Sequence, residues 1–212
     1  MPSSRSCTSK KATTMGRLHH GSRDKFTLCI CGMAGCGKST LAKRIASKYG
    51  LRYYSGGDAL KALALEAGYK RVDRGWWESR EGMKFLQTRV QDPSFDKKID
   101  QKLLEWAEHG AVVLDSWTMP WLLEKGFKVW LEASPEARAK RIAKRDGTSV
   151  PSALAALTEK DSKTRAIFKT LYGFSLGEDF TPFDLILDVN QLTAEEVLQA
   201  LTQVIDQMLC AT

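Results

Sequence analysis

The sequence predicts an α/β fold, with five parallel strands in one sheet and helices on both of its faces. Three observations lead there. Five short apolar segments recur along the 212 residues, each followed by a stretch of helical character. That alternation argues for a parallel sheet covered on both sides. The first apolar segment, Phe26-Thr27-Leu28-Cys29-Ile30-Cys31, runs into Gly32-Met33-Ala34-Gly35-Cys36-Gly37-Lys38-Ser39-Thr40 and then into a helix. This stretch fits G-x-x-x-x-G-K-[ST] without a mismatch, in the strand–loop–helix context that makes the pattern a phosphate site. Ligands of such sheets bind at the C-terminal ends of the strands, which places the glycine loop, residues 55–58 and Asp115 on one edge.

The elements follow in order. Residues 41–49 carry apolar side chains at helical spacing, and Gly50 stops them. Leu51-Arg52-Tyr53-Tyr54 reads as a second short strand. Ser55-Gly56-Gly57-Asp58 reads as a turn in which Asp58 caps a helix over 59–65, ended by Gly68. Residues 69–81 are rich in charge and hold the adjacent Trp76 and Trp77. A helix over 82–91 is broken by Asp92-Pro93. The next, over 94–108, has Phe95, Ile99, Leu103, Leu104 and Trp106 as its apolar face. Residues 111–115 form a strand ending in Asp115, and residues 127–131 form another. Ser134-Pro135-Glu136 opens a helix with a cap and a proline in its first turn. A charged helical segment spans 152–171, residues 183–187 are the fifth strand, and Thr193 with Glu196 forms a capping box for the last helix.

Composition limits the possible classes. Hydrophobic content of 43% and charged content of 27% are ordinary for a globular protein. No apolar run approaches the roughly 20 residues that span a bilayer. The net charge is +7, but five of those charges lie within residues 1–23, where Arg5, Lys10, Lys11, Arg17 and Arg23 meet no acid. The remaining +2 is too little for a nucleic-acid surface. Residues 1–24 are expected to be a disordered basic tail, with Met15 an alternative start, and residues 25–212 the folded domain. The five cysteines include no C-x-x-C pair. Cys29 and Cys31 alternate with Leu28 and Ile30, as buried thiols would. A monomer in the reducing cytoplasm, without nucleic-acid or membrane partners, is expected.

The chemistry begins at the loop. Its glycines let backbone N–H groups turn towards phosphate oxygens, and the following helix adds the positive end of its dipole. Lys38 can reach the β- and γ-phosphates of a nucleoside triphosphate, and Ser39 can ligate Mg²⁺. Asp115 stands where an acid serving that Mg²⁺ is needed, although an acid before Ser116 and Thr118 can also be a turn cap. Arg138, Arg141 and Arg145 share a helix face at i, i+3, i+7 and, with Lys160, Lys163 and Arg165, could neutralise a moving phosphoryl group. A solvated basic face accounts for the spacing equally well. Trp76, Trp77, Trp117 and Trp121 are mostly expected in the core, with Trp117 the one expected to touch a ligand.

These residues resemble the nucleoside monophosphate kinase family, most closely its short archaeal-type cytidylate kinases, from about residue 26 to 197. Tyr53-Tyr54-Ser55-Gly56-Gly57-Asp58-Ala59-Leu60 resembles the start of that family's monophosphate-binding helices. Phe95-Asp96-Lys97-Lys98-Ile99-Asp100 is similar to its paired-acid helix. Residues 141–147 resemble the entry to its lid, and Asp161-Ser162 with Leu171-Tyr172-Gly173-Phe174 its exit. The resemblance implies a P-loop three-layer fold with acceptor-binding helices at about 58–110 and a lid at about 145–175. It implies transfer of the γ-phosphate of Mg·ATP to a nucleoside monophosphate, CMP or dCMP first. Lys38, Arg141, Arg145 and Arg165 would serve the transferring group, and residues 32–40 the ATP. Ser39 and Asp115 would serve the Mg²⁺, and Ser55, Asp58, Lys61 and Trp117 the acceptor. The chain departs from the family's arginines at Lys61, Trp117, Lys160 and Ile167, all on the acceptor side. Adenylate, another monophosphate or a small molecule therefore stays open as acceptor. So does an ATP-binding module with little kinase activity that works through a partner at Trp76 and Trp77.

Overall fold

The computed structural model describes residues 25–210. The expected tail, residues 1–24, lies outside them. The five strands are β1 (Thr27–Cys31), β2 (Arg52–Ser55), β3 (Val112–Asp115), β4 (Phe127–Glu132) and β5 (Leu185–Asp188). They form one parallel sheet in the order β2-β3-β1-β4-β5. β1 is central and buried at all five positions, as its unbroken apolar run requires. β5 is an edge strand, and Ile186 on it is half exposed.

Eight α-helices are described: α1 (Lys38–Tyr49), α2 (Gly56–Glu66), α3 (Arg80–Gln91), α4 (Ser94–Glu108), α5 (Met119–Leu122), α6 (Pro135–Asp146), α7 (Val150–Tyr172) and α8 (Ala194–Cys210). A 3-10 turn, Trp76–Glu78, precedes α3. Alternation along β1 sorts the layers. Leu28 and Ile30 pack with Leu41 and Ile45 of α1 and Leu201 and Ile205 of α8. Cys29 points the other way, to Leu60 of α2 and Leu103 of α4. Cys31 joins Trp130, Phe168 of α7 and Leu176. Each fully buried aliphatic or aromatic side chain contributes about 1.5–3 kcal/mol. Cys29, Cys31 and Cys36 are free and buried, and burial raises their thiol pKa values, so they behave as small apolar groups.

The helix ends obey local chemistry. Ser134 caps α6 by accepting from the Ala137 N–H at 3.2 Å, with Pro135 in the first turn. At α8, Thr193 Oγ1 accepts from the Glu196 N–H at 3.3 Å while Glu196 Oε2 accepts from the Thr193 N–H at 2.8 Å, a reciprocal box. One cap differs from expectation. α2 begins at Gly56, and its cap is Ser55, whose Oγ accepts from the Asp58 N–H at 3.1 Å. Ser55 ends β2 with extended dihedrals, the geometry an N-cap needs, so the helix starts as soon as the strand stops. Asp58 lies in the first turn instead, where its charge favours the helix dipole.

Two registers position the site. Ile30 of β1 and Ser55 of β2 both pair with Asp115 of β3. The glycine loop after β1, the start of α2 and the acid of β3 therefore leave the sheet along one edge. No helix among the described residues is long and apolar enough to cross a membrane.

Candidate active site

One cleft of about 610 Å³ lies along that edge. Its floor is the loop, residues 34–40. α1 enters it with no acid in its first turn and no side-chain cap, whereas α2, α3, α6 and α7 each carry a serine cap. The orphan N–H groups of α1 are thus left to a ligand, the arrangement that suits phosphate. Gly32 starts the loop at φ +146, and a Cβ there would lie 2.6 Å from the Leu131 carbonyl, so only glycine fits this close approach to β4.

Of the predicted residues, Ala34 to Thr40, Ser55, Asp58, Asp115, Trp117, Arg141 and Arg145 all line the cleft. Lys38 Nζ rests 5.3 Å from the centre of the Trp117 ring. The Trp117 indole donates to the Gly32 carbonyl at 2.7 Å, which ties the segment after β3 to the loop. Asp115 is buried, with Oδ2 accepting from Tyr53 OH at 3.2 Å. Arg141 donates to the Cys36 carbonyl at 3.3 Å and to the Val189 carbonyl, and so bridges the loop to the turn before α8.

Gly32, Met33, Lys61 and Arg165 are not among the lining residues. Met33 is buried beside Trp130 and Leu86. Lys61 is half-buried with Nζ 5.9 Å from the Trp76 ring centre. Arg165 is exposed and donates to the Leu176 carbonyl at 3.1 Å. It follows Lys160 by five residues, a rotation of about 140° off that side chain's direction. Arg138 shares the helix face of Arg141 but is buried, donating to Asp161 at 2.8 Å and to the carbonyls of Ala34 and Ala133. It braces the loop rather than facing a ligand. Ile167 is core.

The tryptophans divide. Trp76 is core, while Trp77 lines the cleft. Trp121 stacks on Phe174 with ring centres 3.9 Å apart.

The sequence reading missed Glu78 altogether. Its Oε2 accepts from Arg145 at 2.9 Å and its Oε1 from Lys160 at 2.7 Å, and all three line the cleft. Glu78 and Lys160 are 82 residues apart, and Glu78 lies in a charged stretch without periodicity, so no local signal marks it.

The far end of the cleft holds two carboxylates one turn apart on α4, Asp96 and Asp100. Asp96 is neutralised by Arg89 in a buried bidentate pair, at 2.9 and 2.5 Å. Asp100 has hydroxyls instead: Thr118 Oγ1 donates at 2.5 Å and Tyr172 OH at 2.7 Å. Burial pushes the Asp100 pKa from its ordinary 3.8 to about 6, against the pull of those two donors. The folded chain thus binds a proton more readily than the unfolded one. The stability this confers is complete below pH 3.8 and is lost as pH rises through about 6. At neutral pH the loss is about 3 kcal/mol. Asp100→Asn is expected to be more stable than the wild type at about pH 8 and to show no such gain at about pH 4, by urea unfolding. An equal difference at both pH values would mean that burial of the charge is not the cause.

A glycine loop leaving the central strand into an uncapped helix, with an acid at the end of the neighbouring strand, defines a P-loop α/β kinase fold. Solved structures agree. Shikimate kinase from Bacteroides thetaiotaomicron aligns with a TM-score of 0.53 at 19% identity, over 85% of this chain and 98% of that one. Shikimate kinase from Acinetobacter baumannii, in complex with shikimate, aligns with a TM-score of 0.53 at 18% identity, over 88% and 97%. At such identities the likeness is one of fold.

The chain belongs to the cytidylate kinase-like family, whose profile matches residues 27–191. The cytidylate kinase of Aeropyrum pernix is 34% identical over 176 residues, 82% of this chain and 95% of that protein. The cytidylate kinase of Pyrococcus horikoshii is 30% identical over 187 residues, 88% of this chain and 91% of that protein.

Proposed function

We propose that this chain transfers the γ-phosphate of Mg·ATP to a nucleoside monophosphate, with CMP or dCMP as the preferred acceptor. The observation that carries the reading is the continuity of one cleft. It runs from the uncapped N-terminus of α1, past Lys38, Arg145 and Lys160, to the acid pair on α4.

The loop N–H groups and Lys38 would hold the β- and γ-phosphates. Ser39 and Asp115 suit Mg²⁺, a hard cation that takes one or two protein oxygens and completes its shell with water and phosphate. Mg²⁺, when bound, draws charge from the β- and γ-phosphate oxygens. Arg141, fixed between the loop and the turn before α8, would border the donor nucleotide with Val189, Leu192 and Val197. Arg145 and Lys160 would meet charge on the transferring group. No covalent intermediate is required, because aligning the two nucleotides and neutralising charge supplies most of the catalysis.

The acceptor base would reach Asp100. An ionised carboxylate accepts from the exocyclic amine of cytosine and repels the carbonyl at the same position of uracil. With Mg·ATP, a panel of CMP, dCMP, UMP and AMP scored by ADP release is expected to show CMP or dCMP ahead of UMP by at least about tenfold in kcat/KM. AMP in the lead would move the acceptor to adenylate. ADP release that no acceptor stimulates would leave an ATP-binding module.

A further inference from the structure

Lys38, Arg145 and Lys160 line the cleft together, and Glu78 answers the last two. Arg145 lies in the last turn of α6 and Lys160 lies on α7, both on the side read as the lid. Glu78 comes from the opposite, acceptor side, at the end of the turn Trp76–Glu78. The residue before it contributes too, since Lys160 Nζ lies 5.4 Å from the centre of the Trp77 ring.

That turn is held firmly. Trp76 is 3% exposed, and its indole donates to the Lys70 carbonyl at 2.9 Å. Ser79 Oγ donates to the Trp76 carbonyl at 2.7 Å. Gly82 of α3 lies so near that a Cβ on it would overlap the same carbonyl. Glu78 is therefore fixed in place before any ligand arrives.

Its two cations need such an anchor. The Lys160 side chain is 6% exposed, and burial beside Lys38 and Arg145 favours losing its proton. The Arg145 side chain is 55% exposed, and among the described residues its other side-chain partner is the neighbouring Asp146, which accepts from it twice at 2.6 Å, so Glu78 is what draws it towards Lys160. An anion between them keeps the first charged and the second turned inward.

We propose that Glu78 is a positioning residue for phosphoryl transfer, holding Lys160 and Arg145 over the gap between donor and acceptor from a rigid turn on the acceptor side. This rests on the kinase reading above. It gives the Trp76–Trp77 pair a purpose, with Trp76 anchoring the turn and Trp77 supporting the lysine.

Glu78→Gln keeps the shape and removes the charge. Its kcat is expected to fall about 10- to 100-fold, the cost of misplaced transition-state charges. KM for Mg·ATP should change by less than about threefold, because the loop and Lys38 hold the donor. The alkaline limb of the kcat profile should also move to lower pH. The groups acting on Lys160 give this direction: burial, Lys38 and Arg145 lower its pKa, and Glu78 raises it. The adjacent Asp161 carboxylate is paired to Arg138 and stays in place. Lys160→Met supplies a second arm should Glu78→Gln fail to fold. Alone it should lose kcat to a similar degree, and the double variant should be little worse than the weaker single variant.

Wild-type kcat and pH profile in Glu78→Gln would overturn the proposal. So would faster turnover or tighter ATP binding, which would make Glu78 only a competitor for the cations. A fall in kcat with an unmoved pH profile and additive double-variant losses would mark a merely structural part and overturn it equally. If the wild type itself shows no acceptor-dependent ADP release, the kinase reading falls and the role of Glu78 falls with it.

Discussion

Replacing Lys38 by alanine is expected to lower acceptor-dependent ADP release about a thousandfold, near the upper end of what removing one preorganised charge costs. Lys38 is the first residue of α1, so its ammonium sits beside the orphan N–H groups that would hold phosphate. Among the described residues it rests on the Trp117 ring rather than in an ion pair, a contact worth about 0.5–1 kcal/mol at a partly exposed position. A phosphate easily outbids that. The folded protein should lose little, because alanine is a good helix former and Lys38 is only half-buried. Thermal unfolding would confirm an intact fold. An alanine variant that keeps its turnover would remove the loop from the reaction.

Asp115→Asn should have the next largest effect, about 100- to 1,000-fold in kcat, with the Mg²⁺ dependence moved to higher concentration. The substitution preserves volume and leaves an oxygen to accept from Tyr53 OH, so stability should stay within about 1 kcal/mol. A Mg²⁺ titration of rate separates the two readings of this residue. If Asp115 served only to order the turn before Ser116 and Thr118, the variant would unfold more readily and keep its Mg²⁺ dependence. Among the described residues no group of three or more His, Cys, Asp or Glu side chains converges on one point.

The glycine loop and Asp115, which share the cleft, are legible in the sequence because their pattern is local. A glycine loop must sit between one strand and one helix, and Asp115 must end a strand, so spacing alone marks both. The paired acids Asp96 and Asp100 were legible only through family likeness. The rest depends on tertiary contacts. Arg138, Arg141 and Arg145 look equivalent at i, i+3, i+7, but what each meets is set by the elements packed on that face. Arg138, at its first turn, therefore meets Asp161 and the loop carbonyl, while Arg145, at its last, reaches the open cleft. Arg165 seemed the better basic residue on α7, and helical phase turned it away in favour of Lys160. Glu78 could be found only by folding the chain, since both of its partners come from the other wall.

The departures from family arginines also look different in place. Trp117, which carries no charge, bonds to the Gly32 carbonyl and lies beneath the Lys38 ammonium. Lys160 offers Glu78 one ammonium contact at 2.7 Å where a guanidinium would offer a planar fork. Ile167 simply belongs to the core.

The most direct measurement follows the phosphoryl group itself. Protein incubated with γ-phosphate-labelled ATP, Mg²⁺ and CMP should give labelled CDP in step with unlabelled ADP, and Lys38→Ala should give neither. Label appearing only in inorganic phosphate, or no label transfer to any nucleoside monophosphate, would contradict the assignment.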